Sequence, residues 1–244
     1  MKHHTCLAAV AACVMVAAVA SAAPGDNWDG VWSPLENNLF DPSRGQLNPN
    51  FARLHPPYDA EWEAKYVAVL ERTHQGKPGD PTASCVPGGM PRIMGNPYPQ
   101  EIIIKEKQVW IIKELQTQVR RIYMDGRKPP ADPDPTYIGY STGHWEGDTL
   151  VVETIGMRGD TVFDRTGAPH SDKMKVIERM RLRSPDVWED QITFIDPVAF
   201  TKPWIVTRTY KRQPDWEILE YVCEENNRNP LNADGTNGFI QPAP

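Results

Sequence analysis

Met174-Lys175-Val176-Ile177-Glu178-Arg179-Met180-Arg181-Leu182-Arg183 changes character at every step. The even positions are Met, Val, Glu, Met and Leu, while the odd ones include Lys175, Arg179, Arg181 and Arg183. A period of two marks a strand with one face toward a core. The even face is therefore the inner one, and it carries Glu178 among apolar neighbours. Ser184-Pro185-Asp186 reads as a tight turn that pairs even positions with even ones. The next strand then turns Trp188, Asp190, Ile192 and Phe194 inward. A further strand has Trp204, Val206, Arg208 and Tyr210 on one face, before a turn at Gln213-Pro214-Asp215. Over 216–223, Trp216, Ile218, Glu220 and Val222 share a face, although Leu219 and Tyr221 compete from the other.

The same period extends back to about residue 100. Residues 101–105, 109–115 and 118–124 are rich in Ile, Val, Trp and Tyr, and 137–145 and 149–155 flank the hairpin signal Glu146-Gly147-Asp148. Short turns join most of these segments, about nine strands in all. A meander this long must protect its edges, and closure does so most completely. The fold class expected is mainly β: an antiparallel meander closed or strongly curved into a lipocalin-like barrel over 100–225, with one helix and an irregular N-terminal arm. Residues 23–57 are rich in Asn, Asp and Pro, with Trp28, Trp32, Phe40 and Phe51 between them, and read as that arm. The helix spans 59–75, capped by Asp59, with Glu61 and Glu63 at its positive end. Trp62, Tyr66, Val69, Leu70 and Thr73 form its core stripe. Arm and helix together (23–99) are expected to pack on the barrel, and 226–244 to form an irregular tail. Pro accounts for 24 of 244 residues, about twice its usual share, which disfavours long helices.

Residues 1–22 read as a secretory signal peptide. Lys2 precedes an apolar run over 7–20, and Ala20-Ser21-Ala22 supplies the cleavage pattern. The run is shorter than the roughly 20 residues that span a bilayer, and no second stretch of spanning length follows. The mature protein is therefore expected in the periplasm or outside the cell, with no membrane span. Its net charge moves from −6 to −7 as one Lys is removed. An acidic chain of this kind is a poor general nucleic-acid binder. Cleavage leaves two cysteines, Cys85 and Cys223, and an even pair in an oxidising compartment reads as a disulfide. The alternative, a reactive thiol, rests on the loop Ser84-Cys85-Val86-Pro87-Gly88-Gly89.

The strand parities gather charge. Glu178, Asp190, Arg208 and, with its competing face, Glu220 project into one interior. Buried charges are paired or used, because a bare one costs several kcal/mol. Three readings stand together. Arg208 closes an ion pair with Glu178 or Glu220; Arg208 holds a carboxylate or enolate of a bound molecule; or Glu178 acts as an acid or base, its pKa raised by apolar walls. The loops add His144, in Gly143-His144-Trp145-Glu146-Gly147-Asp148, and His170 with Asp172, in Pro169-His170-Ser171-Asp172. His170 is either a base oriented by Asp172 or a loop histidine bonded to backbone. No spacing matches a zinc motif, so no metal is expected. G-x-S-x-G, the P-loop and G-x-G-x-x-G are also missing, and no cofactor is expected.

Arg120-Arg121-Ile122-Tyr123-Met124-Asp125-Gly126-Arg127, Gly143-His144-Trp145-Glu146-Gly147-Asp148-Thr149-Leu150-Val151-Val152-Glu153-Thr154 and Pro169-His170-Ser171-Asp172 resemble motifs of a large group of exported bacterial proteins. Asp196-Pro197, Phe200 and Pro203-Trp204 belong to the same pattern. The resemblance covers about 55–225. It implies one secreted domain and carries no activity with it. More weakly, Gly143-His144-Trp145 resembles the Gly-x-Trp of lipocalin-type barrels, displaced here to mid-chain.

The leading functional expectation is an exported barrel that binds a small hydrophobic or aromatic molecule. Trp188, Trp204, Tyr210 and His144 would contact it, and Arg208 would fix its polar end. The alternative is a cofactor-independent isomerase, lyase or hydrolase in which His170, Asp172 and Glu178 move protons. A structural envelope protein without a pocket is the third.

Overall fold

The computed structural model describes residues 25, 27–35, 56–77 and 79–226. The expected signal peptide lies outside the described residues, as does the tail beyond Asn226. Nine strands form one closed barrel: β1 (Gly30–Pro34), β2 (Gln100–Lys105), β3 (Gln108–Lys113), β4 (Gln118–Tyr123), β5 (Tyr140–Glu146), β6 (Thr149–Ile155), β7 (Lys175–Ser184), β8 (Val187–Ile195) and β9 (Trp204–Arg212). Neighbours follow chain order, and β9 returns to β1 through Trp32↔Arg212 and Pro34↔Tyr210. Strand directions cannot alternate around a ring with an odd number of members. One pair must run parallel, and it is β4 with β5, through Ile122↔Ser141 and Tyr123↔Thr142. All other neighbouring pairs are antiparallel. The β5–β6 hairpin turns on Gly147 and Asp148, with Gly147 at φ 63°, where a side chain would be strained.

One strand differs from the expectation. Residues 216–223 form no strand, and Gly30–Pro34, expected in an irregular arm, takes the place between β9 and β2. The reason is what each segment can bury. Trp32 is completely buried and Val31 nearly so, whereas 216–223 has large apolar groups on both faces and leaves Trp216 and Leu219 exposed. A single inward face cannot satisfy that second pattern. The segment runs outside the barrel as a strap. The Leu219 amide donates to Glu114 Oε2 at 3.2 Å, Tyr221 packs edge-on against Tyr98, and Cys223 is bonded to Cys85. Glu220 is exposed and lies outside the interior.

The helix α1 (Ala60–His74) begins where Asp59 Oδ1 accepts the Trp62 amide at 2.9 Å, and it buries Tyr66 and Val69. It covers one end of the barrel. Tyr66 and Tyr58 join Phe163, Phe194, Phe200, Trp204 and Met174 there in one apolar cluster. A second cluster fills the other end, the mouth, and includes Trp28, Trp32, Ile102, Leu150, Trp188 and Tyr210. Among the described residues no helix is long and apolar enough to cross a membrane.

The chain entering β1 lies across the mouth. Trp28 packs edge-on against Trp145 at 5.3 Å and Trp188 at 6.1 Å. Arg212 holds this entry segment. Its Nη1 donates to Asp29 O at 2.9 Å, Nη2 to Asn27 O, and Nε to Pro185 O at 3.0 Å, while its guanidinium lies 4.2 Å from the Trp32 ring.

The disulfide joins residues 138 positions apart, so it restricts most of the unfolded chain. Replacing both cysteines by Ser should cost about 4 kcal/mol, read by urea denaturation. The denatured, unreduced protein should take up no thiol reagent at Cys85 or Cys223, and labelling of either would refute the bond.

Candidate functional site

Between the two apolar clusters lies a layer of polar side chains, each delivered by strand parity. Gln100 and Lys113 are cross-strand partners on β2 and β3. Arg120 lies on β4, Ser141 on β5, Thr154 on β6 and Glu178 on β7. Met180, Asp190 and Arg208 form a row across β7, β8 and β9. All of these polar groups are buried. Such a layer survives only if its members satisfy one another.

Arg120 and Glu178 do so most fully. Arg120 Nη1 donates to Glu178 Oε1 at 2.8 Å, and Nη2 donates to Glu178 Oε2. The same guanidinium donates from Nη2 to Thr154 Oγ1 at 2.8 Å and from Nε to Ser141 Oγ at 3.2 Å. The two hydroxyls share a further bond of 2.8 Å. This is a bidentate, charge-assisted pair, the geometry that best offsets desolvation. A closed ion pair is therefore present at Glu178, but its cation is Arg120, not the Arg208 expected to pair with Glu178 or Glu220. Arg208 donates from Nη2 to the Asn96 carbonyl, and its guanidinium lies 5.5 Å from the Tyr210 ring.

Two other members carry displaced proton affinities. Burial, the adjacent Glu178 and a hydrogen bond with it hold the Asp190 carboxyl well above the usual carboxylate range. Burial and the nearby Arg208 and Arg120 pull the Lys113 amine down to about 7. Lys113 Nζ donates to Gln100 Oε1. Gln100 Nε2, Trp188 Nε1 and Asp190 Oδ1 are buried, and none has a hydrogen-bond partner among the described residues. All three residues line one void, together with Lys113, Arg120, Glu178 and Tyr210. Its volume is about 10 Å³, the room one water requires. Trp188 and Tyr210 form its aromatic wall, with ring centroids 4.4 Å apart.

The other expected site residues lie elsewhere. Trp204 packs against Phe163 and Phe194 in the cluster beneath the layer. His144 projects outward, 3.2 Å from Glu146 Oε1, which also accepts Arg179 through Oε2. His170 is buried, with Nδ1 against the Ser171 carbonyl and Nε2 against Thr161 Oγ1, each at 2.8 Å. Burial pushes its pKa below the ordinary histidine value. Asp172 does not orient it, because that carboxylate is exposed and paired with Lys173 at 3.1 Å. His170, Asp172 and Glu178 thus do not meet. Asp196 does the local work instead, accepting the Ser171 amide at 2.7 Å and its hydroxyl at 2.6 Å.

Gln100, Lys113, Arg120, Ser141 and Thr154 are the layer members that sequence reasoning passed over. A signal for Lys113 and Arg120 exists, since Val109, Ile111 and Lys113 share a parity, as do Arg120 and Ile122. It is masked because Trp110 and Ile112 make the opposite face of β3 equally apolar, and Val119 does the same on β4. Among the described residues no cluster of three or more His, Cys, Asp or Glu could hold a metal. No protein-family model matches the chain, and no curated protein is similar to it.

Breaking the central pair with Arg120→Met should cost about 3–5 kcal/mol in urea denaturation. Adding Glu178→Leu should recover part of that, because the stranded carboxylate is then gone. Lys113 supplies a pH test. Its folded pKa lies near 7 and its unfolded value near 10.5, so the unfolded chain binds the extra proton between them. That group opposes folding most at or below pH ~7, and the opposition fades as pH rises toward 10. The stability gain of Lys113→Met over the natural protein should therefore shrink from pH ~6.5 to ~9.5; a constant difference would refute it.

Proposed function

We propose that this is an exported barrel that binds a small hydrophobic or aromatic molecule within its mouth, the polar end of the ligand resting on the Lys113–Asp190 layer. The observation that carries this reading is the void beside Trp188 and Tyr210, whose lining includes three buried polar atoms with no partner among the described residues. The void itself admits one water. The ring of a ligand therefore takes the place of the Trp28 indole, which already lies edge-on to Trp188 at the mouth. Trp28 belongs to a short entry segment that Arg212 holds by backbone carbonyls, so it can leave without opening the strand ladder. Export is supported by the signal-peptide pattern and by the disulfide, a bond suited to an oxidising compartment. The resemblance to exported bacterial proteins points the same way.

A second reading, proton-transfer catalysis, draws on the opposite displacements of Lys113 and Asp190, an amine whose pKa is lowered to about 7 and a carboxyl whose pKa is raised. It replaces His170 and Asp172 with Lys113 and Asp190 as the acid–base groups.

Native mass spectrometry of the mature protein purified from the periplasm should reveal an organic mass excess. Trp28→Ala should create a ring-sized opening, so that added indole raises its melting temperature more than that of the natural protein, with affinity at least about ten-fold higher. A bare mass together with no indole effect on Trp28→Ala would refute interior binding. Turnover of a bound molecule that Asp190→Asn abolishes without weakening its affinity would establish the catalytic reading.

A further inference from the structure

We infer that the interior site takes its ligand by a carboxylate, with Lys113 as charge partner and Gln100 and Trp188 as directed hydrogen-bond donors. This rests on the interior-binding reading and specifies its ligand as a hydrophobic or aromatic monocarboxylic acid.

The first argument is donor balance. Gln100 Nε2 and Trp188 Nε1 can only donate, and neither has an acceptor among the described residues. Both residues are at least nine-tenths buried and line the same void. The third unpartnered atom of the void, Asp190 Oδ1, is an oxygen that a ligand carboxylate does not serve, but two of the three atoms call for an acceptor, so the complementary group is rich in lone pairs. A carboxylate brings two oxygens and about four lone-pair sites, and has no proton of its own to place. A ligand hydroxyl would meet part of this need, but it brings no charge.

The second argument is charge. Three cationic side chains, Lys113, Arg120 and Arg208, share the layer with two carboxyls, Glu178 and Asp190. Glu178 is committed to Arg120 through both oxygens. Asp190 leans toward its neutral form, and it shares a hydrogen bond with Glu178. The layer is then positive through Arg208 even when Lys113 gives up its proton, and the two guanidinium groups push Lys113 in that direction. An added monoanion reverses the push. It restores the Lys113 ammonium and gains a charge-assisted bond in a site closed to water, where such bonds are strongest. The apolar neighbours Ile93, Met94, Ile111 and Met180 leave no room for the hydration that a dianion such as phosphate would keep.

A consequence separates this inference from binding in general. Above pH ~7 the ligand must recharge Lys113, so binding takes up a proton; well below that pH the ammonium is already present. The test is calorimetric titration of the full mature protein with benzoate and with benzyl alcohol, at pH ~6 and ~8, in two buffers of different ionisation enthalpy. Benzoate should bind at least about ten-fold tighter than benzyl alcohol, with uptake approaching one proton at pH ~8 and little at pH ~6. Lys113→Met, nearly equal in volume, should lose that preference and that uptake while still binding benzyl alcohol. If benzyl alcohol matches benzoate, or benzoate binds at pH ~8 with no proton uptake, the carboxylate inference falls and interior binding stands. If neither binds the natural protein or Trp28→Ala, the interior-binding reading fails and this inference fails with it.

Discussion

The bidentate pair of Arg120 with Glu178 is the constraint around which the rest of this barrel is arranged. A guanidinium and a carboxylate are held inside, on β4 and β7, away from water. Their attraction offsets the lost hydration only if the geometry is close to ideal and the remaining donors find acceptors. Ser141 and Thr154, on the strands that lie between, supply those acceptors. Four consecutive strands, β4 to β7, are thereby set in register by side chains as well as by the backbone ladder. Slipping any one of them by a residue would turn a member of the group outward and strand the others.

Apolar material on both sides separates this layer from bulk solvent. Below it, helix α1 and the aromatic cluster around Phe163 close one end. Above it, Trp28, Trp32, Trp188 and Tyr210 fill the mouth. The two closures differ in kind. The lower one is contiguous with the strands and the helix, while part of the upper one is lent by the entry to β1. Arg212 grips that entry through main-chain carbonyls and one aromatic face. Such contacts hold the backbone of the entry, while its Trp28 side chain is buried in the mouth cluster. The strap that ends at Cys223 lies outside the wall and is held by the disulfide to Cys85.

Much of the architecture was legible because its causes are local. The alternation in 174–183 set the inner face of β7, and the turn at Pro185 carried that parity into β8. Glu178, Asp190 and Arg208 accordingly lie inside, as expected. The Asp59 cap and the stripe through Tyr66 and Val69 marked the helix to within a residue at each end. Where both faces of a segment are apolar, the period of two loses its meaning. That ambiguity hid Lys113 and Arg120 on β3 and β4, and made 216–223 resemble a strand. Polar loop residues misled for another reason. His170 and Asp172 are two positions apart, yet one is buried against Thr161 and the other is exposed beside Lys173. Sequence proximity in a loop does not fix direction.

The chain by itself determined the class of fold, the inward faces of its clearest strands and the helix that begins at the Asp59 cap, because each follows from short-range pattern. Tertiary structure alone decided which segment closes the ring, which cation meets Glu178, and which polar atoms surround the void. Those outcomes depend on competition between segments far apart in sequence, Gly30–Pro34 against 216–223 and Arg120 against Arg208. The winner is the arrangement that buries the most apolar surface while leaving the fewest buried charges unmatched.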